Sequence, residues 1–227
     1  MSIIVKTQAE LDKIPLDTNE QIYIEFGTCN NPAIVKNKYL HRVIANSSSS
    51  VVAWNNSSVV ARSNSSITAR GNSSVVALGN SSVLAYNNSC VKAYGHSSIV
   101  AFDNSSVEAY GKGSIEAYEN SSAIAHGSSS VTAFDGSSVT AQGNSFIVAF
   151  DSSSVVAYEN SSAEAFDSSS VETYDNSSVV AFDSSLIKAH ENSSIKAYGN
   201  VQVVDELLSA GSIQLSGNAR KVCMPKK

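Results

Sequence analysis

Alanine recurs at every eighth position over most of the chain, and this spacing constrains the fold more than any other feature. It falls at 45, 53, 61, 69, 77, 85, 93, 101, 109, 117, 125, 133, 141, 149, 157 and 165, and again at 181, 189 and 197. Thr173 is the single substitution, and no insertion or deletion interrupts the spacing. Such regularity is typical of solenoids, in which each repeat stacks on its neighbours and a shift of register would be costly.

The repeat reads Asn-Ser-Ser-Val-x-Ala-Tyr/Phe-Gly/Asp, and its positions are numbered here one to eight from Asn. Position four is Val, Ile or Ala from Val51 to Ile195, position six is Ala, and position two is Ser except at Gly113. Positions three, five and seven vary far more. Because successive side chains of a strand point to opposite faces, the uniform positions two, four and six are predicted to lie inside. The pattern therefore predicts an all-β fold, a single β-solenoid.

Positions eight and one hold Gly, Asp, Glu, Asn, Ser and Lys, residues typical of turns, and are predicted to form the corners of the coil. A buried hydroxyl needs a hydrogen-bond partner, so the inward Ser at position two is expected to bond to the corner backbone.

Position five of the repeat indicates the number of octads per coil. Read at every third octad, one series is polar throughout: Thr68, Lys92, Glu116, Thr140, Glu164 and Lys188. A second series is apolar over Val52, Val76, Val100, Ile124 and Val148. Every second octad gives no such sorting at this position. A three-sided coil of 24 residues is therefore favoured, and a two-sided coil of 16 residues is the alternative.

Three segments are predicted: an N-terminal α/β cap over 1–42, the octapeptide solenoid over 43–204, and a C-terminal cap or linker over 205–227. Thr7 and Glu10 form a capping-box pattern for a short helix before Pro15. Residues 21–27 alternate like a strand, and residues 39–45 lead into the first octad. At the C-terminal end, the patterns indicate a helical turn over 205–210 and strands over 212–215 and 219–224.

The net charge of −5 disfavours a general nucleic-acid binder, and the charge is unevenly placed. Residues 41–100 carry four basic residues and no acid, whereas residues 101–200 carry thirteen acids and three lysines. The first sixteen residues lack the apolar run of a signal peptide, and no stretch is apolar enough to span a membrane. These features predict a cytoplasmic or virion-associated protein without a membrane or nucleic-acid partner.

The sequence contains no candidate catalytic, cofactor or metal site, and it predicts a protein that is not an enzyme. His126 and His190 occupy position seven, where Tyr and Phe are usual, and Cys90 replaces an outward Ser. The cysteines lack zinc-site spacing, and there is no phosphate-binding glycine loop. Single acids at position eight lack the glycine-rich pattern of calcium-binding β-roll repeats.

The Asn-Ser-Ser-Val-x-Ala octads and their N-terminal lead-in resemble octapeptide-repeat β-solenoid proteins of bacteria and their phages. The resemblance covers most of the chain. It implies a structural repeat protein and brings no active site with it.

The main functional prediction is a structural scaffold or protein-binding rod that self-associates, or binds another protein, through an apolar face. In a three-sided coil this face would combine Val52, Trp54, Val76, Leu78, Val100, Phe102, Ile124, Phe146, Val148 and Phe150. A contiguous apolar patch of this kind usually marks an interface.

The sequence also allows two other functions. The acidic half could bind a basic protein surface as a mimic of nucleic acid, although a three-sided coil would spread its corner acids over three edges. Ice or mineral binding by the Ser columns is the weakest hypothesis, because neighbouring outward columns carry Glu, Lys and Tyr.

Overall fold

In the computed structural model, the described residues are 2–15, 18, 20–36, 43–46, 48–207 and 211–222. The chain forms two compact units, Met1–Ser114 and Ile115–Lys227. Both are β-solenoids with about 16 residues per turn. The predicted features over 39–42, 208–210 and 223–224 lie outside the described residues.

The described residues of the N-terminal unit form one short helix and strands of two parallel sheets. Sheet 1 has the order β1-β2-β4-β6-β8-β10-β12, and sheet 2 contains β3-β5-β7-β9-β11. The elements are β1 (Ser2–Val5), α1 (Gln8–Asp12), β2 (Gln21–Ile24), β3 (Ala33–Val35), β4 (Val43–Ala45), β5 (Ser50–Trp54), β6 (Ser58–Ala61), β7 (Ser66–Arg70), β8 (Ser74–Ala77), β9 (Ser82–Ala85), β10 (Cys90–Gly95), β11 (Ser98–Ala101) and β12 (Ser106–Gly111).

The C-terminal unit continues the alternation, with even-numbered strands in sheet 1 and odd-numbered strands in sheet 2. Its strands are β13 (Ser114–Ala117), β14 (Ser122–Gly127), β15 (Ser130–Ala133), β16 (Ser138–Ala141), β17 (Phe146–Ala149), β18 (Ser154–Ala157), β19 (Ser162–Ala165), β20 (Ser170–Thr173), β21 (Ser178–Ala181), β22 (Leu186–Glu191), β23 (Ser194–Gly199), β24 (Gln202–Leu207), β25 (Ser212–Gly217) and β26 (Arg220–Val222).

Strand pairing confirms the solenoid and shows that the three-sided preference is wrong. Val91 pairs with Val75 and Val107, and in the C-terminal unit Val155 pairs with Val139 and Val171, so partners lie sixteen residues apart. The two-sided alternative is the observed coil. Its interior explains the choice, because Ser, Val and Ala fill the thin space between two sheets, whereas a third side would enclose a wider space that such small side chains leave unfilled.

The predicted alternation of inward and outward positions is confirmed. Position-four and position-six residues of the octads are at most 3% exposed, and the Ser residues at position two are likewise buried. The inward hydroxyls donate to position-seven carbonyls at the corner, as Ser57 does to Trp54 (2.6 Å) and Ser161 to Tyr158 (2.7 Å). Four such hydroxyls, of Ser121, Ser137, Ser153 and Ser169, have no hydrogen-bond partner among the described residues.

Position eight is the tight corner that the sequence predicts. From Asn55 to Gly199 it holds a left-handed backbone, which turns one sheet into the next. Aspartate, asparagine and glutamate adopt φ values of 51–61° there, and the glycines extend from 69° to 106°. Glycine is required at Gly143, because a Cβ atom would lie 2.6 Å from the Gly127 carbonyl oxygen.

The N-terminal helix forms as predicted and covers one sheet edge. The Thr7 hydroxyl accepts the Glu10 amide (3.2 Å), while the Glu10 carboxylate accepts the amide of Lys6 rather than that of the cap residue (2.7 Å). The Gln8 side chain then pairs with both backbone groups of Ile34 in the edge strand β3, at 3.0 and 2.8 Å. A side-chain amide thus takes the place of a further strand.

The C-terminal segment differs from one prediction. Residues 205–207 belong to β24, which pairs with β22, so the helical turn predicted to begin at 205 is wrong. The late strands predicted over 212–215 and 219–224 are confirmed as β25 and, over its described residues, β26. Strands in both predicted caps are hydrogen-bonded into the solenoid sheets of their own unit.

Candidate functional site

The most continuous surface feature is a column of aromatic rings on the outer face of sheet 2 in the C-terminal unit. Its members occupy position seven of alternate octads and are called here the ring column: Tyr118, Phe134, Phe150, Phe166, Phe182 and Tyr198. Successive ring centroids lie 4.8, 5.1, 5.1, 5.0 and 5.3 Å apart, with the ring planes 7–15° from parallel. Because the faces cover one another, the column presents mainly ring edges to solvent.

Apolar side chains widen this surface at several coils. Val148 and Val180 occupy position five beside the rings and are partly exposed. Phe146 at position three is 41% exposed, as is Tyr198 at the end of the ring column. The column of position five also contains Glu164 and Lys196, on either side of Val180 in the strand pairing. The outer face of sheet 2 therefore combines the ring column with two valines, while its position-five column also carries Glu116, Glu164 and Lys196.

The corresponding column of the N-terminal unit is built differently. Arg70 lies between two rings, with its guanidinium carbon 5.2 Å from the Trp54 ring centroid and 5.1 Å from that of Tyr86. Tyr86 stacks on Phe102 at 5.2 Å. A cation thus takes one place in a column of aromatic residues.

The ten residues predicted to form one apolar face lie on two opposite sheets, so that grouping is wrong. In the N-terminal unit, sheet 2 carries Val52, Trp54, Val100 and Phe102, whereas Val76 and Leu78 belong to the sheet 1 side. In the C-terminal unit, sheet 2 carries Phe146, Val148 and Phe150, whereas Ile124 lies on sheet 1. The cause is the coil length, because sixteen residues per turn send successive octads to opposite sheets.

Three central rings lie outside the ten residues predicted to form the apolar face: Phe134, Phe166 and Phe182. Position seven carried the signal, since Phe-Asp recurs at 134–135, 150–151, 166–167 and 182–183. Glycine at position eight follows the same sixteen-residue period from Gly79 through Gly143. Both periods identify a two-octad coil from the sequence.

The acids of position eight are also more ordered than a three-sided coil would place them. In the C-terminal unit one edge carries an exposed acid in each of five successive coils, and this set is called here the acidic edge: Glu119, Asp135, Asp151, Asp167 and Asp183. The opposite edge carries Glu159, Asp175 and Glu191. Spreading over three edges is therefore wrong, and the acidic edge lies directly beside the ring column.

These carboxylates have a structural use at the corners. The side chain of Asp175 accepts the backbone amide of Glu159 at 2.9 Å, and that of Glu191 accepts the amide of Asp175 at 2.8 Å. On the acidic edge, Asp183 accepts the amide of Asp167 at 3.4 Å. An acid in one coil thus satisfies a corner amide of the preceding coil, which explains why acids suit this position.

A polar cluster occupies sheet 1 of the C-terminal unit around Glu172. Its carboxylate is bound by Lys188 (2.8 Å), by the Tyr174 hydroxyl (2.7 Å) and by His190 Nε2 (2.9 Å). Hydrogen bonds from these groups, led by that of Lys188, lower the pKa of Glu172 to about 2, and the bond to Glu172 raises the pKa of Tyr174 to about 12. The Nδ1 atom of His190 lies 3.2 Å from a carboxylate oxygen of Glu206.

The other chemistry candidates from the sequence lie apart from one another. His126 occupies the outward position seven of β14, and Cys90 is exposed between Ser74 and Ser106 in sheet 1. Within the described ranges, no group of three or more His, Cys, Asp or Glu residues could hold a metal ion. No helix among those residues is long and apolar enough to cross a membrane. Comparison with family models, curated proteins and solved structures finds no match for this chain.

Proposed function

We propose that the protein is a non-enzymatic structural scaffold that self-associates through the outer face of sheet 2 in its C-terminal unit. The ring column is the observation that carries the proposal, because it places six aromatic residues at one coil spacing on one face. Stacking between coils accounts for the ring faces. The ring edges, together with Phe146, Val148 and Val180, leave an apolar surface of the kind that interfaces bury. A cytoplasmic or virion-associated setting stays a prediction from the sequence.

A second copy fits the spacing of this surface better than a helix does. Stacked strands of two copies both repeat at about 4.8 Å per coil, so their side-chain columns remain aligned at every coil. A helix repeats at about 5.4 Å per turn and drifts by roughly half an ångström at each coil. The face of a second copy is consequently a complement that stays in phase with the column at every coil where the two faces overlap.

The charges of position five support an antiparallel second copy. Glu164 and Lys196 lie one coil before and one coil after Val180. Packing two faces antiparallel about Val180 places the acid of each copy opposite the base of the other. The acidic edges then lie along the same margin of the dimer, where the two copies of Asp183 come together, and both C-terminal units carry a net negative charge. Raised salt is therefore expected to strengthen this association by screening their repulsion.

The first test is the solution mass by light scattering for the wild type, Val148→Lys and Val156→Lys. The two variants are matched, because Val148 lies between Thr132 and Glu164 in sheet 2, and Val156 lies between Thr140 and Glu172 in sheet 1. A wild-type dimer that dissociates in Val148→Lys but persists in Val156→Lys is expected. A monomeric wild type, or equal dissociation of both variants, would contradict the proposal.

A charge reversal tests the antiparallel arrangement separately. Glu164→Lys and Lys196→Glu should each weaken the dimer, and the double variant should restore its mass. Failure of the double variant to recover would rule out pairing of these two residues while leaving association through the ring column to the first test.

The acidic edge supports a second candidate function, binding of a basic protein surface as a mimic of nucleic acid. Residues 113–187 contain ten acids and no Lys or Arg, and five of these acids line one edge. A long-range attraction to a basic surface follows from this uncompensated charge. The predicted salt dependence is opposite to that of the dimer, because screening weakens attraction between unlike charges.

A labelled lysine-rich helical peptide serves as the probe, with binding measured by fluorescence anisotropy at low and raised salt. Asp135→Asn/Asp151→Asn/Asp167→Asn removes three charges from the acidic edge. The matched control, Glu159→Gln/Asp175→Asn/Glu191→Gln, removes three from the opposite edge. A roughly tenfold loss confined to the first variant is expected if the acidic edge binds the probe. Equal losses would indicate a response to net charge alone and would exclude an edge-specific site.

A further inference from the structure

His190 bridges two carboxylates that belong to different coils of the C-terminal unit. It occupies β22, between Glu172 of β20 and Glu206 of β24. Its Nε2 atom lies 2.9 Å from Glu172 and its Nδ1 atom lies 3.2 Å from Glu206. The ring is held from one side by Tyr174, with centroids 4.4 Å apart and planes 1° from parallel, and the side chain is 14% exposed. The imidazole is thus fixed in place with both nitrogens directed at acceptors.

The number of donors on the imidazole depends on its protonation. A protonated ring has two N–H groups and can donate to both carboxylates, whereas a neutral ring has one N–H and one lone pair. In the neutral ring, one nitrogen therefore turns a lone pair toward a carboxylate oxygen. The arrangement with both contacts in place requires the charged form.

Three groups that surround the imidazole keep one charge state across the neutral range. Besides His190, the charged and titratable side chains here are Glu172, Tyr174, Lys188 and Glu206. With a pKa of about 2, Glu172 stays ionised, and with a pKa of about 12, Tyr174 stays a neutral donor to it. The pKa of Lys188 is raised by its hydrogen bond to Glu172, so its ammonium stays charged. Histidine is the side chain whose charge ordinarily changes between about pH 5 and 8.

We propose that His190 is a pH-dependent clasp that fastens β24 to the preceding coils when it is protonated and loosens it when it is neutral. The Glu206 contact is the one that is lost, because it is longer and its carboxylate is 46% exposed. Lys188 and Tyr174 also hold the Glu172 carboxylate in place. The one N–H group of the neutral ring is therefore expected to stay on Nε2 and to donate to Glu172. β24 pairs in turn with the edge strand β26, and terminal coils are where a solenoid opens first. The clasp therefore controls the opening of the last coils of sheet 1.

Hydrogen exchange of the full-length protein, followed by mass spectrometry, tests this. The exchange rate of the fragment covering 202–207 is divided by that of an internal reference covering β18, which cancels the intrinsic effect of pH. In the wild type this ratio is expected to rise about threefold from pH 5.5 to pH 8. In His190→Phe, which keeps a ring stacked on Tyr174 at a position where Phe is common, the ratio should not change with pH.

Glu206→Gln provides an independent variant, because it keeps His190 and removes only the second carboxylate. Its exchange ratio should also be flat and should resemble that of the wild type at pH 8. Ring nitrogen shifts in NMR spectra of the wild type should show the doubly protonated imidazole at pH 5.5. A flat wild-type ratio, or a threefold rise that persists in Glu206→Gln or His190→Phe, would overturn the clasp.

Discussion

The two units build the same coil with different outer columns. At position seven of sheet 2, the N-terminal unit places Arg70 between two rings, and the C-terminal unit stacks six rings without interruption. At the adjoining corner, the N-terminal unit uses Asn55, Gly71, Asn87 and Asp103, whereas the C-terminal unit uses an acid in five successive coils. Residues 1–114 contain nine basic and seven acidic residues, and residues 115–227 contain six basic and thirteen acidic ones.

The interiors, in contrast, are alike. Position four is Val, Ile or Ala and position six is almost always Ala in both units, and these side chains are equally buried. The comparison shows that the inward columns define the coil. A side chain in an outward column has only to pack against the side chains at the same position one coil above and one coil below. Surface function can therefore differ between the units without any change of fold.

The prediction with the largest expected effect tests whether the interiors of the two units are equivalent. Ile67→Ala in the N-terminal unit and Ile147→Ala in the C-terminal unit each remove a side chain that is at most 1% exposed. Each should lower the free energy of unfolding by about 3 kcal/mol, measured by urea denaturation, because a cavity is left in a close-packed layer. The outward Phe146→Ser is the control and should cost less than either. A difference of more than about 2 kcal/mol between the two Ile variants would show that the interiors are not equivalent.

The second prediction tests whether the outer columns of the two units contribute differently to the free energy of unfolding. Phe150 stacks on two rings at 5.1 Å each, so Phe150→Leu should cost about 1.5 kcal/mol beyond the change in buried area. Arg70→Leu removes two cation–π contacts at a more solvated position and should cost about 0.7 kcal/mol. Thermal or urea unfolding measures both. Equal costs would mean that the two columns are energetically interchangeable.

An acid titration compares how much the carboxylates on sheet 1 stabilise each unit. The folded-state pKa of Glu172 lies below the ordinary value of 4.5, at about 2, so its stabilisation is complete above about pH 5 and is lost as the pH falls toward 2. Because the side chain is 31% exposed, we expect about 1 kcal/mol, less than the full pKa shift would give. Glu172→Gln should flatten this part of the pH–stability curve. Glu108→Gln, in the N-terminal unit, should change it less, because its partner Lys92 is 51% exposed.

The smallest effect concerns the corner charges. Asp151→Asn removes one charge from the acidic edge and should raise the free energy of unfolding by about 0.3 kcal/mol at low salt. Asn87→Asp places an acid beside Asp103, to which the Asn87 amide now donates at 3.3 Å, and should lower it by about 0.5 kcal/mol. Both differences should shrink at raised salt. Salt-independent changes would indicate that backbone geometry, rather than charge, decides the residue at position eight.

The sequence determined the pleat, the interior and the corners. Constancy at positions two, four and six predicts which side chains are buried, because alternation within a strand is a local property of the backbone. Left-handed corners at position eight follow in the same way from the preference of Gly, Asn and Asp for positive φ. The helix capped by Thr7 was also predictable, since its signal lies within one turn.

The tertiary structure decided between two and three octads per coil, because positions five and seven of the repeat favour different answers, and with it which outward residues are neighbours. That number depends on how tightly small interior side chains allow two sheets to pack, which no single octad encodes. The wrong choice grouped Val76 and Ile124 with residues of the opposite sheet and left Phe134, Phe166 and Phe182 outside the predicted face. Contacts such as His190 with Glu172 and Glu206 arise only because coils stack sixteen residues apart, so they follow from the stacking of the folded chain and not from the repeat itself.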